Sequence, residues 1–225
     1  MPTYEQFFAP LYPDSYYHVI FRSVDGVMLF HNEDNRIFFL RKFSLYFQPV
    51  STCLAYCLLD NHVHFIIHIR PLPVLTQRIT SFPEEALTKS MKKFLNEPDN
   101  FDIIEEMLSR QVNSFLISYA NAYNKRFSRR GSLFQSPFRR VVIKDESHLQ
   151  QAIIYVHANA QKHGLIRDFK DYKYSSYWEI IKDNSSNVDV AEVLHFFGGK
   201  EQYVKTHQEQ VDYFYNKGWP SSKLE

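Results

Sequence analysis

The 225 residues are 44% hydrophobic and 16% aromatic, ample for a sizeable core. A formal charge of +1 excludes the global basic surplus of a histone-like or polybasic chain, so a nucleic-acid partner has to be read from local clusters. Two cysteines, Cys53 and Cys57, form neither a disulfide framework nor a zinc pattern.

Residues 1–18 lack a basic segment followed by an apolar run, and no apolar run approaches membrane-spanning length, so a cytoplasmic protein away from the membrane is expected. Tyr16 to Phe21 (YYHVIF) is rich in β-formers and reads as a strand, closed by the turn signal Asp25-Gly26. Ile37, Leu40, Phe43 and Phe47 recur at helical spacing and predict a helix over 32–47. Strands follow at 52–59 and 62–70, joined by a tight Asp60-Asn61 corner as an antiparallel hairpin. Cys53 and Cys57 then share a strand face about 13 Å apart, too far to bridge, which agrees with a reducing compartment.

Residues 74–100 predict one or two helices, and a long helix is expected over about 103–127. Its apolar stripe runs through Ile104, Leu108, Gln111, Phe115, Tyr119 and Tyr123, and Gly131 breaks it. Val141-Val142-Ile143 follows a basic corner, and Ser147 to His163 predicts a second strong helix ended by Gly164. Helices near 188–197 and after Lys200 close the chain. This mixture, with a hairpin in its middle, predicts an α+β sheet with helices packed on it. The expected division is a main domain over 1–180 and a C-terminal helical extension over 181–225.

Three features carry chemistry. In LLDNHVHFIIHIR, alternate strand residues share a face, so His62 and His64 point the same way with Cα atoms roughly 6.6 Å apart. They are either polar residues on a solvated strand face or two ligands of a divalent ion that keeps open positions for substrate oxygens. His68 shares their parity but sits about 13 Å from His64, too far for a third ligand.

Tyr119 is the second feature: an aromatic core anchor, as any of 15 tyrosines could be, or a nucleophile facing the sheet. The third is KRFSRRGSLFQSPFRR, residues 125–140, with six Lys or Arg and no acid. It reads either as a solvated charged face or, with Phe127, Phe134 and Phe138 interleaved, as a single-strand binding surface.

Together these pieces resemble the single-tyrosine HUH transposases, in the REP-associated tyrosine transposase branch. The resemblance runs through Tyr17-His18-Val19, AYCLLDNHVHFII, YANAYN followed by GSLFQSPFRR, YVHAN with His163-Gly164-Leu165, and Tyr174-Ser175-Ser176-Tyr177. Asp60 and Ala160 stand where that family usually has proline.

The resemblance implies a ferredoxin-like antiparallel sheet with helices, and single-stranded or hairpin DNA as substrate. It implies Mg²⁺ or Mn²⁺ held by His62 and His64, with Asn124 as third ligand by motif although it lies about 140° around the helix from Tyr119. Tyr119 would attack to form a 5′-phosphotyrosine, with Tyr123 as reserve. Arg129, Arg130, Gln135, Arg139 and Arg140 would contact DNA. A tyrosine acting in its own subunit and one acting across a homodimer both fit. The competing readings are a metal-dependent hydrolase using water, and a domesticated nucleic-acid-binding protein without catalysis.

Overall fold

The computed structural model describes residues 7–217. Four strands form one antiparallel sheet: β1 (Tyr16–Arg22), β2 (Ser51–Leu58), β3 (His62–Ile69) and β4 (Arg139–Ile143), in the order β2-β3-β1-β4. Helix α1 (Glu33–Phe47) joins β1 to β2, and α2 (Leu72–Thr80), α3 (Lys89–Asn96) and α4 (Phe101–Arg126) lie between β3 and β4. With α2 and α3 as an insertion, β1-α1-β2-β3-α4-β4 is the ferredoxin-like arrangement. Helices α5 (Glu146–Lys162), α6 (Tyr177–Ile181), α7 (Val190–Phe197) and α8 (Lys200–Lys217) follow.

Strand alternation gives the sheet two unlike faces. Tyr17, Val19 and Phe21 of β1 share one face with Val63, Phe65 and Ile67 of β3, and this face is aromatic and dry. Phe65 stacks on Phe43 of α1 at 3.9 Å between ring centroids, and Phe21 meets Phe115 of α4 at 5.6 Å. Helices α1 and α4 therefore lie on this face, each started by an asparagine side chain that accepts first-turn amide protons, Asn32 from Asn35 and Asn100 from Asp102 and Ile103.

The opposite face carries His18, Ile20 and Arg22 of β1 beside Ile66, His64 and His62 of β3. Helix α5 covers it, capped by Asp145, whose side chain accepts from the His148 amide. Residues 152–160 of α5 are buried all round, because α7 and α8 pack against its outer side. Gln150 donates to the Phe196 carbonyl at 2.6 Å, and His157 bonds His207 at 2.9 Å. The C-terminal helices that were expected as an extension thus rest directly on α5.

The hairpin closes where expected, with the Asp60 and Asn61 carbonyls accepting from the Leu29 and Ser23 amides. Cys53 and Cys57 are unbridged as expected, but they do not share a strand face. An irregularity between Cys53 and Ala55 shifts the register, so Cys53 pairs with Ile67 and Cys57 with His64, on opposite faces. None of the helices of the described residues is long and apolar enough to cross a membrane.

Candidate active site

The polar face of the sheet concentrates its chemistry where β1 ends and β3 begins. His62 opens β3, and its Nδ1–H donates to Asn61 Oδ1 at 2.7 Å, leaving Nε2 as the lone-pair nitrogen. His64, almost fully buried, shares a hydrogen bond between its Nδ1 and His18 Nε2 at 2.8 Å. The rings of His62 and His64 are 5.0 Å apart, consistent with the alternate-residue spacing. Burial is the main force holding His64 well below the usual histidine range, reinforced by His18, His62, His163 and Lys162 around it. A neutral imidazole with an oriented Nδ1 is the form that ligates a metal.

Helix α5 brings the facing residues. Tyr155 lies 5.9 Å from the His18 ring and 6.1 Å from the His64 ring, between centroids. Asn159 and His163 succeed it at four-residue steps, and the His163 ring lies 5.1 Å from His62. Lys162 donates from Nζ to the Tyr155 hydroxyl at 2.9 Å. Tyr155 itself has no exposed surface, whereas Lys162 is half-buried and His163 exposed. The phenol therefore sits directly beneath a cation that reaches solvent.

The residues fit a metal only partly on their own. Among the described residues no group of three or more His, Cys, Asp or Glu side chains could hold an ion. Two observations nonetheless point to a ligand: His64 Nε2 and Asn159 Oδ1 are buried with no hydrogen-bond partner among the described residues. Such groups are costly unless something satisfies them. Two imidazoles and one amide oxygen would leave coordination positions for phosphate oxygens and water, and the imidazole share favours Mn²⁺ over Mg²⁺.

The predicted nucleophile is not here. Tyr119 belongs to α4, on the aromatic face, with the sheet between it and the histidines. Its hydroxyl donates to the Leu29 carbonyl at 2.8 Å, only 2% of the residue is exposed, and Phe30, Phe38, Phe39 and Phe134 surround the ring. Burial, then the neighbouring Tyr123, pushes its phenol well above the ordinary tyrosine value. Tyr119 is a core anchor. Tyr123 is tied to the Met28 carbonyl at 2.7 Å in the same layer.

Asn124 also lies away from the histidines. Its side chain closes the end of α4, donating to the Gly131 carbonyl at 2.9 Å and accepting from Arg129 at 3.3 Å.

The expected DNA contacts divide. Arg140 points to the aromatic face, ion-paired with Glu105 at 3.1 Å and bonded to the Ala9 carbonyl, so it is a structural cation. Arg139, its neighbour, pairs with Ile20 and therefore lies on the histidine face. Arg130 is exposed, and Arg129 is held by Asn124 and Gly131. Gln135 is anchored beside the site, its amide donating to the Arg22 carbonyl at 2.8 Å and its side chain to the Ser23 carbonyl at 3.3 Å.

His18, Tyr155, Asn159 and Lys162 were missed as site residues, although YVHAN was part of the family resemblance. A detectable signal existed: the polar residues of α5 recur at steps of three and four, the spacing of one helix face.

No protein-family profile matches the chain. A Haemophilus influenzae protein assigned as a REP-associated tyrosine transposase is 25% identical over 136 residues, covering 60% of this chain and 62% of that relative. The chain thus spans less than two thirds of the curated relative's length. A solved structure of a REP-associated tyrosine transposase bound to a REP hairpin superposes with a TM-score of 0.50 at 12% identity, over 84% of this chain and 90% of that one. Both relatives are of the branch that the sequence motifs resemble, and the second shares the fold.

Proposed function

We propose that this chain is a transposase-like DNA strand-cleaving and strand-joining enzyme, acting on single-stranded or hairpin DNA through a 5′-phosphotyrosine at Tyr155. The observation that carries the reading is the juxtaposition on one face of the sheet. A phenol beneath an ammonium group lies beside the neutral imidazole of His64, and His62 shares that face with its Nε2 as the lone-pair nitrogen.

Tyr155 Oη attacks phosphorus, the P–O3′ bond breaks, and the 3′ oxygen takes up a proton to balance the one the phenol loses. The phosphodiester energy is retained in the new P–O bond, so a second 3′-hydroxyl can reseal the strand without a nucleotide cofactor. Lys162 favours negative charge on the phenol oxygen as its proton departs and holds that oxygen in place. Because Tyr155 is buried and Lys162 is partly exposed, phosphate approaches from the Lys162 side, replacing the ammonium's contact with solvent.

His62 and His64, with Asn159 as the amide donor, would hold Mn²⁺ or Mg²⁺. Its chemistry would be to polarise a non-bridging phosphate oxygen and offset charge in the transition state. Arg139, on this face, and Gln135, anchored at the end of β1, are assigned to DNA together with the exposed Arg130.

The test is covalent capture. Wild-type protein is incubated with Mn²⁺ and a panel of 5′- and 3′-labelled hairpin oligonucleotides with single-stranded flanks, then run on a denaturing gel. A protein–DNA adduct is expected with wild type and Tyr119→Phe, and none with Tyr155→Phe. An adduct that survives Tyr155→Phe overturns the assignment. Full burial of Tyr155 supports one second reading, a nucleic-acid-binding protein without chemistry. Hairpin binding by wild type with no adduct under either metal would favour it.

A further inference from the structure

The last residue of β1, Arg22, has no place in the reaction as described above. It lies directly across the ladder from His62, and alternation puts its side chain on the face of His18, His64 and Tyr155. Its Nε is buried with no hydrogen-bond partner, and it forms no ion pair among the described residues. The other well-buried guanidinium groups are neutralised: Arg36 by Asp60 at 2.6 Å and Arg140 by Glu105 at 3.1 Å. Arg22 differs in having no carboxylate partner among the described residues.

Arg139 stands next to it. Its partner on β1 is Ile20, two residues from Arg22, so the two arginines are diagonal neighbours on one face, roughly 7 Å apart at Cβ. Arg139 too has no ion pair among the described residues, its guanidinium lying 5.5 Å from the centre of the Phe7 ring. Two guanidinium groups with no ion pair among the described residues, rooted on the sheet face that carries His62, offer planar donors suited to phosphate oxygens.

We infer that Arg22, with Arg139 beside it, binds the phosphate that is cleaved, gripping its non-bridging oxygens at the His62 end of the site. This rests on the proposed strand-cleavage reading and adds a substrate-binding residue to it. Arg22 fixes the scissile phosphate, while Arg139 serves that phosphate or the next one along the strand.

The experiment pairs each protein change with removal of one phosphate charge. Fluorescein-labelled hairpin oligonucleotides with single-stranded flanks are made with a single methylphosphonate at each flank position in turn. Binding is measured by anisotropy in EDTA with Tyr155→Phe protein, so that neither chemistry nor metal contributes. At one position the methylphosphonate is expected to weaken binding about 10- to 100-fold, as for a lost charge-assisted hydrogen bond. Arg22→Ala in the same background is expected to be insensitive at that position and unchanged in its response elsewhere. Its slope of log Kd against log salt should fall by about one.

If Arg22→Ala unfolds by circular dichroism, Arg22→Lys decides, because its ammonium should retain only part of the selective response. Equal sensitivity to every methylphosphonate in the variant and its parent overturns the inference, as does a parent insensitive at every position. The outcomes separate this inference from the reading beneath it. Coupling without any wild-type adduct removes the chemistry and leaves the phosphate site, whereas an adduct without coupling removes the phosphate site alone.

Discussion

Acid should loosen the seam between α5 and α8 through one buried relay, and the structure sets the sign. His207 Nδ1 bonds the Tyr203 carbonyl at 2.8 Å, which can only accept, so that nitrogen carries the proton. His207 Nε2 must then accept from His157 Nδ1–H at 2.9 Å, and His157 Nε2 from the Ser176 hydroxyl at 2.8 Å. The serine oxygen in turn accepts from the Tyr56 amide. Each ring nitrogen is committed, and a second proton on either ring would set two donors against each other. Burial pushes His207 down to about 3, and burial followed by the proximity of His207 holds His157 well below the ordinary value.

Both folded values lie below the unfolded value near 6.5, so the unfolded chain binds more protons as pH falls through that point. Stability is fully present above about pH 6.5 and is lost progressively toward the folded values. At pH 5.5 each neutral-only histidine costs roughly 1.4 kcal/mol, about 3 kcal/mol for the pair. His68 works the other way, because its ion pairs with Asp14 and Glu192 hold its value up. Urea unfolding at pH 7.5 and 5.5 should therefore be compared between wild type and His157→Gln/His207→Gln, whose amides do not titrate. Wild type should lose about 3 kcal/mol more than the variant over this interval, and a difference below about 1 kcal/mol would refute the relay.

Three further outcomes follow from single contacts. Tyr119→Phe removes the bond to the Leu29 carbonyl, so thermal or urea unfolding should show a loss of about 1 kcal/mol. Lys162→Met removes the ammonium at the Tyr155 oxygen without emptying a core position, and adduct formation on a quenched time course should slow on the order of 10²-fold. Glu105→Ala deprives Arg140 of its carboxylate. As that pair is partly exposed, stability should fall by roughly 1–2 kcal/mol while the salt slope of DNA binding stays unchanged.

Which residues meet at the site depends on a parity that periodicity along one element cannot supply. The His62–His64 spacing, the Asp60-Asn61 corner and the stripe of α4 were all legible, since each is a property of neighbours along the chain. A helical stripe shows that Tyr119 faces a sheet but not which side of the sheet that helix takes. Tyr155 also faces the sheet, from a helix so enclosed that its apolar positions show no single stripe. Adjacent strand residues raise the same difficulty, and Arg139 and Arg140, one position apart, have opposite roles because only Arg139 shares the face of His18 and His64. Cross-strand pairing resolves both ambiguities. The odd-numbered residues of β1 and β3, from Tyr17 to Ile67, are entirely apolar or aromatic, whereas His18, Arg22, His62 and His64 all fall on even positions. The helix on the even face must therefore offer polar partners, and only α5 has Tyr155, Asn159 and Lys162 at the spacing of one helix face. The segregation of polar residues by strand parity, rather than the number of aromatics on any one helix, identifies Tyr155 as the phenol that meets the histidines.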